Sequence, residues 1–67
     1  MTYSDEDSVS RVVGDDHVGT RLLNALGRMN VMTVGQLKKV SDRDVSDQRN
    51  VGAATMHRLA EVRKQIS

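Results

Sequence analysis

TVGQLKKVSDRD, residues 33–44, decides the fold class of this 67-residue chain. Thr33 stands three residues before Gln36, the spacing of a capping box, in which a hydroxyl and an amide each satisfy a free backbone N–H at the start of a helix. Ser41 stands three residues before Asp44 and repeats the device, with carboxylates near the positive end of the helix. The stretch therefore predicts two short helices, over about residues 34–39 and 42–47.

Apolar residues on either side of this stretch recur with helical spacing. Before it, the apolar positions are four, four and three residues apart: Val18, Leu22, Leu26, Met29. This spacing predicts a helix over 20–29 with Thr20 as its N-cap. After it, apolar residues from Met56 to Ile66 predict a final helix over 53–66. Ten valines suggest strands as an alternative, but no segment alternates cleanly. We expect an all-α fold, a compact bundle of four short helices.

The remaining segments are short and polar. Residues 1–10 are acidic and aperiodic, which predicts a disordered tail ahead of a single helical domain over 11–67. The stretch RVVGDD, residues 11–16, predicts an irregular turn anchored on the core by two valines. Residues 30–32 are expected to form a linker whose side chains enter the core. Three methionines lie at apolar positions and are expected to fill the core, the alternative being an adaptable protein-binding groove: Met29, Met32, Met56.

Composition excludes several classes of protein. The chain has no cysteine, which excludes disulfides and thiolate metal sites and favours an intracellular, cytoplasmic setting. No apolar run approaches the roughly 20 residues of a membrane span, so we expect no membrane partner. Tyr3 is the only aromatic residue, and readers of single-stranded nucleic acid usually stack bases on aromatic rings.

No constellation of residues indicates catalysis. The two histidines are 40 positions apart, no serine lies in a nucleophile-elbow context, and no glycine-rich phosphate loop follows a predicted strand. We therefore expect no enzyme activity, no cofactor and no small-molecule substrate. One interpretation of Asp15, Asp16 and His17 is a metal-binding site. The simpler interpretation is that they are solvated turn residues, and we expect no bound metal.

Charge is distributed unevenly along the chain. Residues 1–16 contain five carboxylates and one arginine, a net charge of −4, whereas residues 17–67 contain nine basic and four acidic residues, a net charge of +5. A basic body behind an acidic lead indicates a polyanionic or an acidic partner. A solvated surface of mixed charge is the alternative.

The segment before the last predicted helix has the chemistry of a phosphate site. Gly52 allows close approach of an anion, and the first amides of a helix are unpaired and lie at its positive end. Thr55 could add a hydroxyl donor and Arg49 a charge. An ordinary turn between helices, with Gly52 chosen for its conformation, is the alternative.

Four segments in order carry a family resemblance: RLLNAL at 21–26, VGQL at 34–37, RNVG at 49–52, and Thr55. Over about residues 12–66 the chain resembles the C-terminal domain of the bacterial RNA polymerase α subunit, a helical fold that ends in a helix-hairpin-helix. The resemblance implies binding to double-stranded DNA, in the minor groove of A·T-rich promoter elements, and contacts with RNA polymerase, a sigma factor or a transcription regulator. It also implies a nucleoid-associated protein.

The resemblance assigns roles to individual residues. Arg21 matches an arginine that enters the minor groove, and Asn24 matches its polar neighbour. The predicted DNA contacts, including those of the 49–55 segment, are Arg21, Asn24, Ala25, Arg49, Asn50, Gly52, Ala53, Thr55 and Arg58. Two positions depart from the family: Ala54 replaces a lysine, and Arg58 replaces an acidic residue and is expected to restore the lost charge. For Arg21, a surface arginine on the polar face of a helix is the alternative.

Protein contacts are also implied. Asp15 matches an acidic residue that faces a sigma factor, with His17 in place of the usual glutamate, and Asp16 lies between them. The alternative function is an interaction module that binds RNA polymerase or a regulator through Asp5–Asp7, Asp15 and Asp16 without binding DNA. DNA mimicry by the acidic lead is a third idea, at odds with the basic remainder of the chain. Because only the predicted tail, residues 1–10, precedes the domain, we expect a stand-alone homologue, bacterial or phage-encoded, rather than an excised fragment.

Overall fold

Five helices form within residues 3–66, the part of the chain that the computed structural model describes. They are α1 (Ser10–Val13), α2 (His17–Arg28), α3 (Val34–Lys38), α4 (Asp42–Ser46) and α5 (Ala53–Ile66). The all-α expectation is confirmed, but the expected number of helices was one too low, because α1 forms where an irregular turn was expected. In these residues there is no strand, only an isolated bridge between Ser8 and Thr33. No helix of this part is long and apolar enough to cross a membrane.

The start of α2 differs from the predicted one. The N-cap is Asp16, whose carboxylate accepts a hydrogen bond from the Gly19 N–H at 3.3 Å. Thr20 is not the cap; it lies in the first turn, where its hydroxyl donates to the Asp15 carbonyl at 3.5 Å. Both side chains are competent N-caps. Glycine at position 19 allows the Asp16 cap, since a Cβ there would lie 2.8 Å from the Asp16 carboxylate oxygen and 2.5 Å from the Gly14 carbonyl oxygen.

The end of α2 is a Schellman motif. The Val31 N–H donates to the Leu26 carbonyl at 2.9 Å and the Asn30 N–H to the Gly27 carbonyl at 3.1 Å, with Asn30 in the left-handed region at φ 61°. Val31 is buried beside Leu26 in the core, as the motif requires. Of the linker 30–32, only Val31 enters the core; Asn30 and Met32 are exposed. The expectation that all three side chains are buried was wrong.

The two capping signals lie at the starts of α3 and α4, as predicted. Thr33 Oγ1 accepts from the Gln36 N–H at 3.2 Å and Gln36 Oε1 accepts from the Thr33 N–H at 3.2 Å, a complete capping box. Ser41 Oγ accepts from the Asp44 N–H at 3.2 Å, which is the hydroxyl half of the device. These local signals predicted both short helices within a residue of their bounds.

Helix α5 lies at the centre of the core, where it contacts α1, α2 and α4. The largest fully buried side chains come from all parts of the chain: Val13, Leu22, Leu26, Val34, Leu37, Val45, Leu59, Val62. Met29 and Met56 pack against this core, whereas Met32 is 60% exposed and does not fill it. Burying one such leucine contributes about 1.5–3 kcal/mol, so these residues carry most of the stability of so small a domain.

Residues 3–10, the described part of the predicted acidic tail, are hydrogen-bonded to the rest of the domain. The Val9 N–H donates to the Met32 carbonyl at 3.0 Å, and the carbonyls of Asp5 and Asp7 accept from Gly35 and Val34 at 3.0 and 2.9 Å. The predicted disorder of residues 1–10 is therefore not confirmed for residues 3–10. Met1 and Thr2, the rest of that predicted tail, lie outside the described residues, as does Ser67 at the end of the predicted domain.

Candidate nucleic-acid interface

A cleft of about 290 Å³ lies between α2 and the loop that joins α4 to α5, residues 47–52. Its lining residues are Arg21, Asn24, Arg28 and Asn50. The first three are spaced three and four residues apart and so share one face of α2. The opposite face of this helix is buried in the core. The arginine near the start of the chain and the loop near its end are thus adjacent, as the hypothesis of a single site requires.

The two arginines of the cleft, and Arg49 in the neighbouring loop, have no acidic partner among the described residues. Within residues 3–66, no carboxylate oxygen lies within 4.0 Å of a guanidinium nitrogen of Arg21, Arg28 or Arg49. By contrast, ion pairs with carboxylates are formed by Arg11, Lys38, Arg58 and Arg63. Because no carboxylate in the described part of the chain neutralises these arginines, the cleft presents positive charge to solvent.

Arg28 was not predicted as a site residue. Its guanidinium NH2 group donates to the Arg49 backbone carbonyl at 2.9 Å and thereby joins the end of α2 to the loop. The signal was present in the sequence, since Arg28 follows Arg21 and Asn24 at helical spacing on the polar face.

The loop 47–52 turns through Asn50, not through Gly52. Asn50 has φ 65°, in the left-handed region, whereas the φ of Gly52 lies outside it. A Cβ built on Gly52 meets no atom within 4 Å. Neither backbone conformation nor packing within the described chain requires glycine at this position, so the alternative that Gly52 serves the turn loses its basis.

The first amides of α5 have no hydrogen-bond acceptor within residues 3–66. The Gly52 carbonyl accepts from the Met56 N–H at 3.0 Å, so the hydrogen-bonded part of the helix begins there. The N–H groups of Ala53, Ala54 and Thr55 donate to no group in the described residues. Ala53 and Ala54 are exposed. Ala53 follows Asn50 by three residues, so its amide lies within about 11 Å of chain from that cleft residue.

Two predicted DNA contacts are inside the protein. Ala25 is fully buried among the core residues of α2, and a residue without exposed surface cannot contact DNA. Thr55 is 3% exposed, so the residue belongs to the interior and its hydroxyl is not presented to an external ligand. The other predicted contacts on α2, the loop and the first turn of α5 are exposed: Arg21, Asn24, Arg49, Asn50, Gly52, Ala53.

Arg58 and Asp16 are joined to each other. The two guanidinium NH groups of Arg58 donate to the two carboxylate oxygens of Asp16 at 2.7 Å each, and NH1 also donates to the Val13 carbonyl at 2.8 Å. These hydrogen bonds lower the pKa of Asp16 from 3.8 to about 2 and raise the pKa of Arg58. Arg58 therefore does not replace the charge of the lysine missing at Ala54; it joins α5 to the turn between α1 and α2.

The predicted protein-contact surface is largely engaged within the chain. Asp5 pairs with Lys38 at 2.9 Å and Asp7 with Arg11 at 3.2 Å, and Asp16 is held by Arg58. Asp15 and His17 are exposed. Within residues 3–66, no group of histidine and carboxylate side chains is arranged to hold a metal ion.

No family model, curated protein or solved structure matches the chain. The resemblance to the polymerase α C-terminal domain accordingly stays a prediction from the quoted residues.

Proposed function

We propose that this protein binds duplex DNA, without catalysing a reaction, through the cleft between α2 and the loop 47–52. The observation that supports the proposal is a cleft lined by Arg21 and Arg28, neither of which has a carboxylate partner within residues 3–66. Arg49 and the first amides of the 14-residue α5 follow in the loop and helix next to Asn50, which lines the same cleft. Phosphates attract both kinds of group, since arginines neutralise charge and helix N-termini donate N–H groups along a favourable dipole.

In the proposed complex, Arg21 enters the minor groove. A narrow A·T-rich groove has enhanced negative potential, which an arginine recognises through groove width rather than base identity. The amide side chains of Asn24 and Asn50, on the same cleft, can donate to the acceptors on base edges and sugars. This form of recognition needs no aromatic wedge, in keeping with the single aromatic residue of the chain.

In the proposed complex, the loop 47–52 and α5 contact the DNA backbone. We infer that α4, the loop and α5 act as the helix-hairpin-helix unit that the resemblance implies, with a phosphate at the exposed amides of Ala53 and Ala54. Arg49 adds a charge beside this position. With alanine in place of the family's lysine, and with Arg58 held by Asp16, the site contains few phosphate contacts and its affinity is low. A role in transcription therefore involves recruitment together with another DNA-binding or polymerase component.

The interaction-module alternative has less support. Its acidic surface depends on Asp5, Asp7 and Asp16, all three of which form ion pairs within the chain. A partner would have to displace these pairs or rely on the exposed Asp15 and Glu6.

Fluorescence anisotropy with an A·T-rich duplex at several salt concentrations tests the proposal. With two to four phosphate contacts, the slope of log K against log salt is about −2 to −4. Arg21→Ala weakens binding about 5- to 150-fold, equivalent to about 1–3 kcal/mol. The matched control is Arg43→Ala, which removes an exposed arginine that does not line the cleft and that has no carboxylate partner within residues 3–66. Absence of binding, or equal losses in both variants, contradicts the proposal.

A further inference from the structure

The loop between α4 and α5 has little support of its own. Its first two residues continue the turn after α4, through hydrogen bonds from the Asp47 and Gln48 N–H groups to the Arg43 and Val45 carbonyls. Within the described chain, no backbone N–H of residues 49–52 donates a hydrogen bond. Val51 is half-buried against the core. Asn50 adopts a left-handed backbone conformation, which a non-glycine residue in a flexible loop would populate only part of the time.

Among residues 3–66, a single side-chain hydrogen bond joins α2 to this segment. It is the 2.9 Å hydrogen bond from the Arg28 guanidinium to the Arg49 carbonyl, and it joins residues 21 positions apart. The Arg28 and Asn50 side chains line the same cleft, on opposite walls. A guanidinium has five N–H donors in a rigid fork, so one bond to the carbonyl leaves others for a ligand.

We propose that Arg28 is the positioning residue of the cleft. It holds residues 49–52 at a fixed place relative to Arg21 and Asn24, so that the groove-reading and the phosphate-binding parts of the site are arranged before DNA arrives. A site organised in advance loses less freedom on binding and so binds more tightly. The DNA part of this inference rests on the proposed function; the fixed loop is a property of the protein alone.

The variants are Arg28→Met, Arg28→Lys and Arg49→Met. Methionine keeps a long side chain and good helix propensity at the exposed Arg28 but removes the donor and the charge. Lysine retains one charge and can donate to the same carbonyl. Arg49→Met is the matched control, because it removes the same charge from the same surface while the backbone carbonyl that Arg28 holds remains in place. Circular dichroism melts establish that all three variants are folded.

The first readout is ¹⁵N relaxation of the unbound protein. In Arg28→Met, backbone order parameters at residues 49–52 fall from about 0.85 towards 0.6 or below, while those of α5 are unchanged. Arg28→Lys restores most of the order, and Arg49→Met leaves the loop as ordered as in the wild type. An equally ordered loop in Arg28→Met overturns the inference whether or not the protein binds DNA.

The second readout is affinity for the A·T-rich duplex. Arg28→Met weakens binding by more than Arg49→Met does, since it loses both a charge and the prepared loop, and Arg28→Lys recovers most of the loss. Equal losses in the two methionine variants, together with a mobile loop in only one of them, overturn the positioning role while leaving the proposed function intact. If the wild type binds no duplex, the proposed function fails and the relaxation data still decide whether Arg28 fixes the loop.

Discussion

Gly52→Ala is expected to weaken DNA binding while leaving the stability of the fold almost unchanged. On the fold the change is almost neutral: the added Cβ meets no atom within 4 Å, and the φ of Gly52 is outside the left-handed region. Alanine is a poorer residue than glycine just before a helix, but it also reduces the freedom of the unfolded chain, by about 0.4–1 kcal/mol. These effects offset each other. We expect a change in the free energy of unfolding within about 0.5 kcal/mol, which shifts the Tm of a domain of this size by no more than about 4 °C.

The same methyl group interferes with DNA. It lies beside the exposed amides of Ala53 and Ala54, at the position where the proposed complex brings a phosphate to the end of α5. A hydrogen bond to a charged group contributes about 1.5–3 kcal/mol, so the loss of one amide–phosphate contact weakens binding about 10- to 150-fold.

Anisotropy with the A·T-rich duplex measures this loss, alongside thermal melts of the same samples. Gly27→Ala is the control, since its added Cβ also meets nothing within 4 Å and Gly27 does not line the cleft. If Gly52→Ala binds the duplex as tightly as the wild type, the end of α5 is not a phosphate site. A large drop in Tm would instead show that the chain itself requires glycine there.

Two further predictions concern the fold. Gly19→Ala unfolds or severely destabilises the domain, since the new Cβ would lie 2.5 Å from the Gly14 carbonyl oxygen. Gly27→Ala on the same helix stabilises the domain by about 0.5–1 kcal/mol. Thermal melts that show equal effects of the two substitutions would contradict the packing described at Gly19. The Asp16 carboxylate, with its pKa lowered to about 2, contributes stability that is complete above pH 3.8 and is lost as the pH falls through 2. Asp16→Asn therefore lowers the Tm at neutral pH and loses its difference from the wild type near pH 2; a difference independent of pH would assign the effect to the cap alone.

The parts of the fold predicted from the sequence depend on neighbours within one turn of helix. The capping signals at Thr33 and Ser41 act over three residues, so they predicted α3 and α4 well. The start of α2 was missed because two competent caps lie four residues apart, and the choice depends on close packing of Gly19 against Gly14. The attachment of residues 5–9 to residues 32–35 joins segments far apart in sequence, and no local pattern announced it.

Some features of the candidate site could likewise be predicted from local spacing, and others only from the fold. Arg21, Asn24 and the omitted Arg28 follow helical spacing, and the apolar stripe of α2 already placed Ala25 on the buried face, against the role that the resemblance assigned to it. Arg58 could not be judged from the sequence, because its partner Asp16 lies 42 residues away and only the fold joins them. A charge counted along the chain says nothing about whether a partner within the protein has already neutralised it.

In the proposed complex, one face of α2 and the loop before α5 form a single surface for duplex DNA. A titration of the ¹⁵N-labelled protein with an A·T-rich duplex, followed by two-dimensional NMR, tests it most directly. We expect the amides of Arg21, Asn24, Arg28, Asn50 and residues 52–54 to shift together, with one apparent Kd that weakens as salt is raised. Shifts confined to other surfaces, such as Asp15 and α3, or no shifts at low salt, would contradict it.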